Sequence, residues 1–286
     1  MSVDMRAHLR VHLHVHLQDV RSLLFVPGNR PERYTKAGAS GADTVCIDLE
    51  DAVPPTERTA ARAAALAFLR AQAAGHGYGL RISRLACADG LRDLLTVAEA
   101  GADPAFVMLA KTESAAEIAM VAAHLPGVPL IALLESARGL QAAAGIAHAH
   151  PQLQALMFGG ADLAADIGCA FAWEPLSLAR ATLVMAAASA GLAAIDVPWL
   201  DVADAEGAQA ETRRAAALGC TGKALIHPAQ VAPVHAGFSP APEALAWAQR
   251  VVQATTADAA ALLVDGRLVD RPVVLAAQRL LRRAGT

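Results

Sequence analysis

From Ser22 onward the chain alternates short apolar segments with longer alanine-rich ones, and this alternation limits the fold more than any other feature. The apolar segments are Ser22–Val26, Thr44–Asp48, Leu80–Ser83, Phe106–Ala110, Leu130–Leu134, Ala155–Gly159, Leu192–Ile195 and Lys223–Ile226. Strand followed by helix is the rhythm of parallel βα units, and eight such units close a (β/α)8 TIM barrel.

The segments between carry helix punctuation. Thr56 to Ala74 stops at Gly75, Ser114 and Glu117 form a capping box, and Ala137 to Ala149 halts before Pro151. Pro175 to Ala190 ends at Gly191, and Ala205 to Leu218 ends at Gly219. No Ser/Gly run or low-complexity tract interrupts this region, which predicts one barrel domain over 21–235. An extension over 1–20 precedes it. A C-terminal arm over 236–286 follows, with a helix at Glu243–Thr255, a hairpin over Leu262–Val269 turning at Asp265-Gly266, and a last helix at Pro272–Arg283. A barrel closes without this arm, so the expectation is that it lies on a neighbouring subunit.

Composition excludes several functions. Mean hydropathy is +0.37, yet no apolar run reaches the roughly 18–20 residues a membrane span needs. A net charge of −3 and 4% aromatic residues offer neither a basic footprint nor stacking platforms for nucleic acid. Cys46, Cys87, Cys169 and Cys220 are far apart and form no metal or redox pair, which points to a reduced, cytoplasmic chain. Cys46 reads as a core residue. The N-terminus lacks the apolar core of a signal peptide. Its His12, His14 and His16 are either a metal site or one face of an added strand or loose extension.

In a barrel of this kind chemistry gathers at the C-terminal ends of the strands. Successive segments are followed or ended by Pro27-Gly28-Asn29-Arg30, Asp48-Leu49-Glu50-Asp51, Arg81, Lys111, Glu135, Asp162, Asp196 and His227. Glu135 and Asp162, with small residues beside them, suit a hard cation such as Mg2+ that keeps waters and accepts substrate oxygens. The plain alternatives make Asp162 a helix N-cap and Glu135 a partner of Arg138. Arg81 either binds a carboxylate or enolate oxygen or pairs with the neighbouring acids. Lys111 is a Schiff-base nucleophile or, on the stronger reading, an ion-pair partner of the acidic rim. His227 is a general base or a fixed hydrogen-bonding residue. Arg30, Arg33 and Lys36 hold a phosphate-bearing ligand or form a solvated helix face.

The stretches RSLLFVPGNRPERYTKAGASGADTVCIDLEDAV, LLESARGL, FGGADLAADIG, LGCTGKALIHPAQV and GRLVDRP are specific in combination. On them the chain resembles the citrate lyase β-subunit-like branch of the HpcH/HpaI aldolase family, from about Arg21 to about Arg283. The resemblance implies a TIM barrel of the phosphoenolpyruvate/pyruvate type, assembled as homotrimers or hexamers. It implies Mg2+ held by Glu135 and Asp162, with Glu135 also binding substrate. Arg81 would be a catalytic and substrate-binding arginine, with Glu50 and Asp51 as catalytic acids near the metal. Apart from the resemblance, Arg30 and Lys36 are the candidate substrate-binding residues after the first segment. Asp270 would be a catalytic acid carried to a neighbouring subunit by the arm.

The activity implied is a Mg2+-dependent carbon–carbon lyase. It would cleave or form a 3-hydroxy-3-carboxyacyl thioester of citryl-, citramalyl- or malyl-CoA type, yielding an acyl-CoA or acyl-carrier thioester and a 2-oxo acid. The alternatives are a thioesterase, an aldolase for free hydroxy acids, or a β subunit of a citrate lyase complex that needs an acyl carrier. The chain departs from the family at three positions expected to line the mouth: Ser83, Ala110 and Val197 stand where Asn, Pro and Gly are usual.

Overall fold

The computed structural model describes residues 16–73, 75, 77–255 and 261–283. Along the barrel the elements are β1 (Ser22–Pro27), α1 (Tyr34–Gly38), β2 (Thr44–Asp48), α2 (Arg58–Arg70), β3 (Tyr78–Ile82), α3 (Ala88–Glu99), β4 (Val107–Leu109), α4 (Ala115–His124) and β5 (Leu130–Leu134). They continue with α5 (Ala137–Gln141), α6 (Ala143–Ala147), β6 (Leu153–Phe158), α7 (Gly160–Ile167), α8 (Trp173–Ser189), β7 (Ala193–Asp196), α9 (Ala205–Leu218), β8 (Gly222–Leu225) and α10 (Val231–Phe238). The strands pair in parallel in chain order, and β8 returns to β1 through Leu24 opposite Leu225, so the sheet has no edge.

All eight expected strands form, as expected of a TIM barrel. Their alternation sorts side chains into two cores. Leu23, Cys46, Phe106, Met108, Ile131, Leu133, Ala155, Met157, Ile195 and Ala224 fill the interior. Leu24, Ile47, Leu80, Val107, Leu109, Leu130, Leu156 and Leu225 point outward against the helices. Cys46 is fully buried, as its apolar neighbours predict.

The helices differ in detail. The segment from Thr56 is helical only over Arg58–Arg70, and the one from Ala137 divides into α5 and α6 at Ala142. The α4 capping box forms, with Glu117 accepting the Ser114 backbone N–H at 2.9 Å. Helix α3 fills the stretch between β3 and β4, with Leu94 and Val97 buried.

The C-terminal arm comprises α11 (Pro242–Ala254), the hairpin β9 (Ala261–Val264) and β10 (Arg267–Asp270), and α12 (Arg271–Arg283). Asp265 and Gly266 take φ values of 49° and 74°, the positive pair that a two-residue turn of the right twist needs. The arm has a core of its own in Ala248, Val251, Val264, Val269 and Ala277. Of the N-terminal histidines, His12 and His14 lie outside the described residues, and His16 precedes a short helical turn at Leu17–Asp19.

Candidate active site

A cavity of about 430 Å³ opens at the C-terminal end of the strands. Its position follows from strand alternation. Two residues beyond the interior Cys46 comes Asp48, two beyond Leu133 comes Glu135, and two beyond Met157 comes Gly159, so the interior row turns polar where it reaches solvent.

Arg81 lies across this mouth from β3. Its Nε and Nη2 donate to the two oxygens of Asp48 at 2.7 and 2.6 Å, a bidentate fork that fixes the guanidinium plane. Nη1 stands 3.3 Å from Glu50, and Phe25 lies 5.0 Å beneath the guanidinium carbon. Burial works against the charge, but Asp48 and then Glu50 more than offset it and hold Arg81 protonated. The pairing with nearby acids therefore forms, and the arginine still lines the cavity.

Lys111 takes a left-handed backbone conformation, φ 50°, which is uncommon for a residue with a side chain and often marks a site. The turn aims its backbone N–H at Glu135 Oε1, 2.8 Å away, while its Nζ reaches Glu50 at 2.6 Å and Asp51 at 3.3 Å. These contacts match the ion-pair reading of Lys111. Burial acts to lower its proton affinity, but the Glu50 carboxylate and then Asp51 outweigh it and raise the pKa. Burial pushes the Glu50 carboxyl up, against the pull of Arg81 and Lys111.

Glu135 is 4% exposed. Burial, and after it the charge of Asp162, push its pKa up to about 8, with Arg81 pulling the other way. Gly159 makes this seat possible, because a Cβ there would lie 2.2 Å from the Glu135 Cβ. Asp162 sits in the first turn of α7, whose N-cap is Gly159, so Asp162 is not a cap. Nor does Glu135 pair with Arg138, which lies near Glu113 at 3.9 Å instead. The two carboxylates line one open space and repel each other, a donor set that suits a hard divalent cation with water or substrate oxygens completing its shell. No cluster of three His, Cys, Asp or Glu side chains able to hold a metal occurs among the described residues.

Other expected residues fall elsewhere. Asp196 is a correction: its strand position turns it outward, and it is fully buried between Arg180 Nε at 2.9 Å and Lys223 Nζ at 2.8 Å. His227 is exposed and caps the turn after β8, its Nδ1 accepting the Ala229 N–H at 3.1 Å, a fixed hydrogen-bonding role. Arg30, Arg33 and Lys36 are exposed and outside the cavity lining. Of the departures from the family pattern, Val197 lines the cavity, whereas Ser83 and Ala110 are buried away from it. Asp270 ends β10, where its Oδ1 accepts the Val273 N–H at 3.3 Å, and it does not line the mouth of its own barrel. Asp48 and Gly159 are the residues sequence reasoning underrates, and alternation from the interior row is the signal that finds them.

A second cavity of about 470 Å³ lies beside α8 and α9, sharing Pro198 and Leu200 with the first. Arg214 in its wall is paired with Glu174 at 2.9 Å, and Glu211 with Lys223 at 2.8 Å. Both of these wall charges are paired within the fold.

A closed barrel whose C-terminal cavity sets acids and a fixed arginine against an apolar floor is that of a TIM-barrel enzyme. Residues 21–228 match the HpcH/HpaI aldolase/citrate lyase family, and the chain belongs to it. It is 40% identical over 269 residues to the citrate lyase subunit beta-like protein of Mycobacterium tuberculosis, covering 92% of this chain and 94% of that one. It is 34% identical over 271 residues to a (3S)-malyl-CoA thioesterase of Cereibacter sphaeroides, with the same coverage of 92% and 94%. Among solved structures, CitE from Mycobacterium tuberculosis in complex with magnesium, acetoacetate and coenzyme A superimposes with a TM-score of 0.83 at 37% identity, covering 94% of this chain and 100% of that one.

Proposed function

We propose that the protein is a Mg2+-dependent carbon–carbon lyase acting on a 3-hydroxy-3-carboxyacyl thioester of the citryl-, citramalyl- or malyl-CoA type. The observation that carries this reading is the buried Glu135 facing Asp162 beside the fixed guanidinium of Arg81. The magnesium-bearing CitE complex with acetoacetate and coenzyme A supports the choice of metal and of thioester.

Glu135 and Asp162 would hold Mg2+, which supplies Lewis-acid polarisation to the carboxylate and adjacent oxygen of the 2-oxo acid half. Asp51, which lines the cavity and meets Lys111 at 3.3 Å where the buried Glu50 is held at 2.6 Å, takes the hydroxyl proton. As that oxygen becomes a carbonyl, the carbon–carbon bond breaks and its electron pair passes to the thioester half as an enolate. Arg81, kept in one orientation by Asp48, places positive charge toward the enolate oxygen. Asp270 from a neighbouring chain gives its proton to the enolate carbon, leaving an acyl thioester and a 2-oxo acid. Arg30 and Lys36, exposed beyond β1, would meet the phosphates of a CoA or acyl-carrier tail outside the cavity.

The neighbour's contribution is supported by the arm. Leu263 and Leu268 lie opposite each other in the hairpin register, yet they are 72% and 67% exposed. Burying them on another copy of the chain accounts for both and gives the homo-oligomer, a trimer or hexamer, that a shared site needs. The proposed location is cytoplasmic; among the described residues no helix is long and apolar enough to cross a membrane.

The test is incubation with a thioester panel and Mg2+, followed by mass spectrometry for 2-oxo acid and shortened thioester. Glu135→Gln and Asp162→Asn abolish turnover on this reading, and undiminished activity in both would sink it. The malyl-CoA thioesterase relative favours a second reading on the same site, hydrolysis of the thioester. Release of CoA with the carbon skeleton intact identifies that activity.

A further inference from the structure

Where β4 runs out beside β5, one side of the pair carries an extra residue. Val107 donates its N–H to Pro129 O at 2.9 Å, and a regular parallel ladder advances two residues at a time on both strands, which would set the Lys111 N–H against Leu133 O. Thr112 takes that acceptor instead, at 3.0 Å. Five steps from Val107 to Thr112 thus face four from Pro129 to Leu133, the count of a one-residue bulge. Lys111 is the extra residue, and its φ of 50° is the left-handed kink that absorbs it. The kink is tied on both sides. Ala110 donates its N–H to Ile82 O of β3 at 3.3 Å, the Thr112 hydroxyl donates to Leu109 O at 3.0 Å, and a Cβ on Gly139 would lie 2.6 Å from Thr112 O. Released from the ladder, the Lys111 N–H meets Glu135 Oε1 at 2.8 Å, while Nζ of the same residue reaches Glu50 at 2.6 Å.

We infer that Lys111 is a positioning residue for the metal site and that it acts through its backbone: the N–H freed by the bulge fixes the Glu135 carboxylate in which the cation is seated. This rests on the assignment of Mg2+ to Glu135 and Asp162. The ion pair with Glu50 does not need the bulge, because a flexible four-carbon stem adapts to many backbone directions. The N–H contact does need it, because an N–H within the ladder already has its acceptor. A carboxylate held at one oxygen loses less freedom when a cation arrives, so the bulge raises affinity without itself ligating. The kink also dictates which residues the position accepts. Glycine adopts it freely and an unbranched side chain at modest cost, whereas a β-branched side chain is a steric outlier there. Lys111→Met, Lys111→Gly and Lys111→Val all remove the ammonium, so differences among them report the backbone.

The test uses the full chain and two readouts other than turnover. In calorimetric titration with MgCl2, Lys111→Met and Lys111→Gly bind within about threefold of each other, and Lys111→Val binds about tenfold more weakly than either. The second readout is NMR of the wild-type chain carrying lysine labelled at nitrogen, which reports the backbone amides of Lys36, Lys111 and Lys223 alone. Lys111 is identified by the signal missing from Lys111→Met. Mg2+ moves the Lys111 amide proton upfield, since a carboxylate oxygen that shares its charge with a cation is a weaker acceptor, and leaves the other two in place. If circular dichroism shows Lys111→Val unfolded, the amide shift alone decides. Equal affinity in Lys111→Val and Lys111→Met, or an unmoved Lys111 amide in a chain whose Mg2+ binding is lost in Glu135→Gln, overturns the role of the bulge. Mg2+ binding retained in Glu135→Gln overturns the metal assignment instead.

Discussion

Asp48 accepts hydrogen bonds from two nitrogens of Arg81 and from the backbone N–H groups of Glu50 and Ala52, the latter at 2.9 and 3.0 Å. One buried carboxylate thus fixes the guanidinium and folds the turn that carries Glu50 and Asp51. In Asp48→Asn a donor replaces one acceptor against a guanidinium that is 12% exposed. The expected outcome is a loss of about 3 kcal/mol in urea unfolding and roughly 100-fold in kcat, from a misaligned arginine. Glu135 gives a second prediction. Its pKa near 8 exceeds the ordinary 4.5, so between those values the folded, metal-free chain holds a proton that the unfolded chain has lost. Stability of the metal-free protein therefore falls as pH rises through that window. If Glu135 holds the proposed Mg2+, metal binding displaces the proton, so affinity climbs about tenfold per pH unit below 8 and then levels off. Calorimetry in buffers of different ionisation enthalpy checks this, and a pH-independent affinity would assign the cation to other ligands. Glu135, Asp162, Arg81 and Lys111 are legible in the sequence because each falls at or just beyond the end of an apolar run. The pairing of Asp48 with Arg81 is not, since it joins positions 33 residues apart.

At the scale of the element, the alternation of a strand decides which polar residue reaches the mouth. Asp196 ends β7 much as Asp48 ends β2, and sequence position alone treats them alike. Val45 and Ile47 face the helices, which sends Asp48 inward, whereas the interior placement of Ile195 sends Asp196 outward. There Asp196 joins α8 to the barrel through Arg180 and to β8 through Lys223. Burial raises its proton affinity, but the two cations outweigh that and lower its pKa, so the stabilisation is lost as pH falls below the ordinary carboxylate range. Asp196→Asn should cost about 3–5 kcal/mol by stranding the buried Arg180 and leaving Lys223 with Glu211 alone, while kcat per folded molecule stays close to wild type. A selective loss of kcat without loss of stability would return Asp196 to the mouth.

At the scale of the whole molecule, the barrel and the arm have separate cores, and each leaves something incomplete. The mouth is rimmed by the exposed Leu200 and Ile226, at 57% and 44%, and the arm ends its hairpin on Asp270 with two exposed leucines behind it. If the arm completes the mouth of a neighbour, each working site needs Glu135 from one chain and Asp270 from another. Glu135→Gln and Asp270→Asn chains are then inactive alone but complement when mixed. After equal amounts are unfolded and refolded together, half the mouths carry Glu135 and half the incoming arms carry Asp270, so about a quarter of wild-type activity returns. A site built within one chain gives no recovery on mixing, since every chain then carries one lesion. Leu263→Asp with Leu268→Asp separates assembly from chemistry: these chains should sediment as monomers with an intact barrel by circular dichroism, and fail to complement either partner. Recovery near a quarter in the first mixture and none in the second would place the catalytic unit at the junction of two subunits and account for the absence of Asp270 from the mouth of its own barrel.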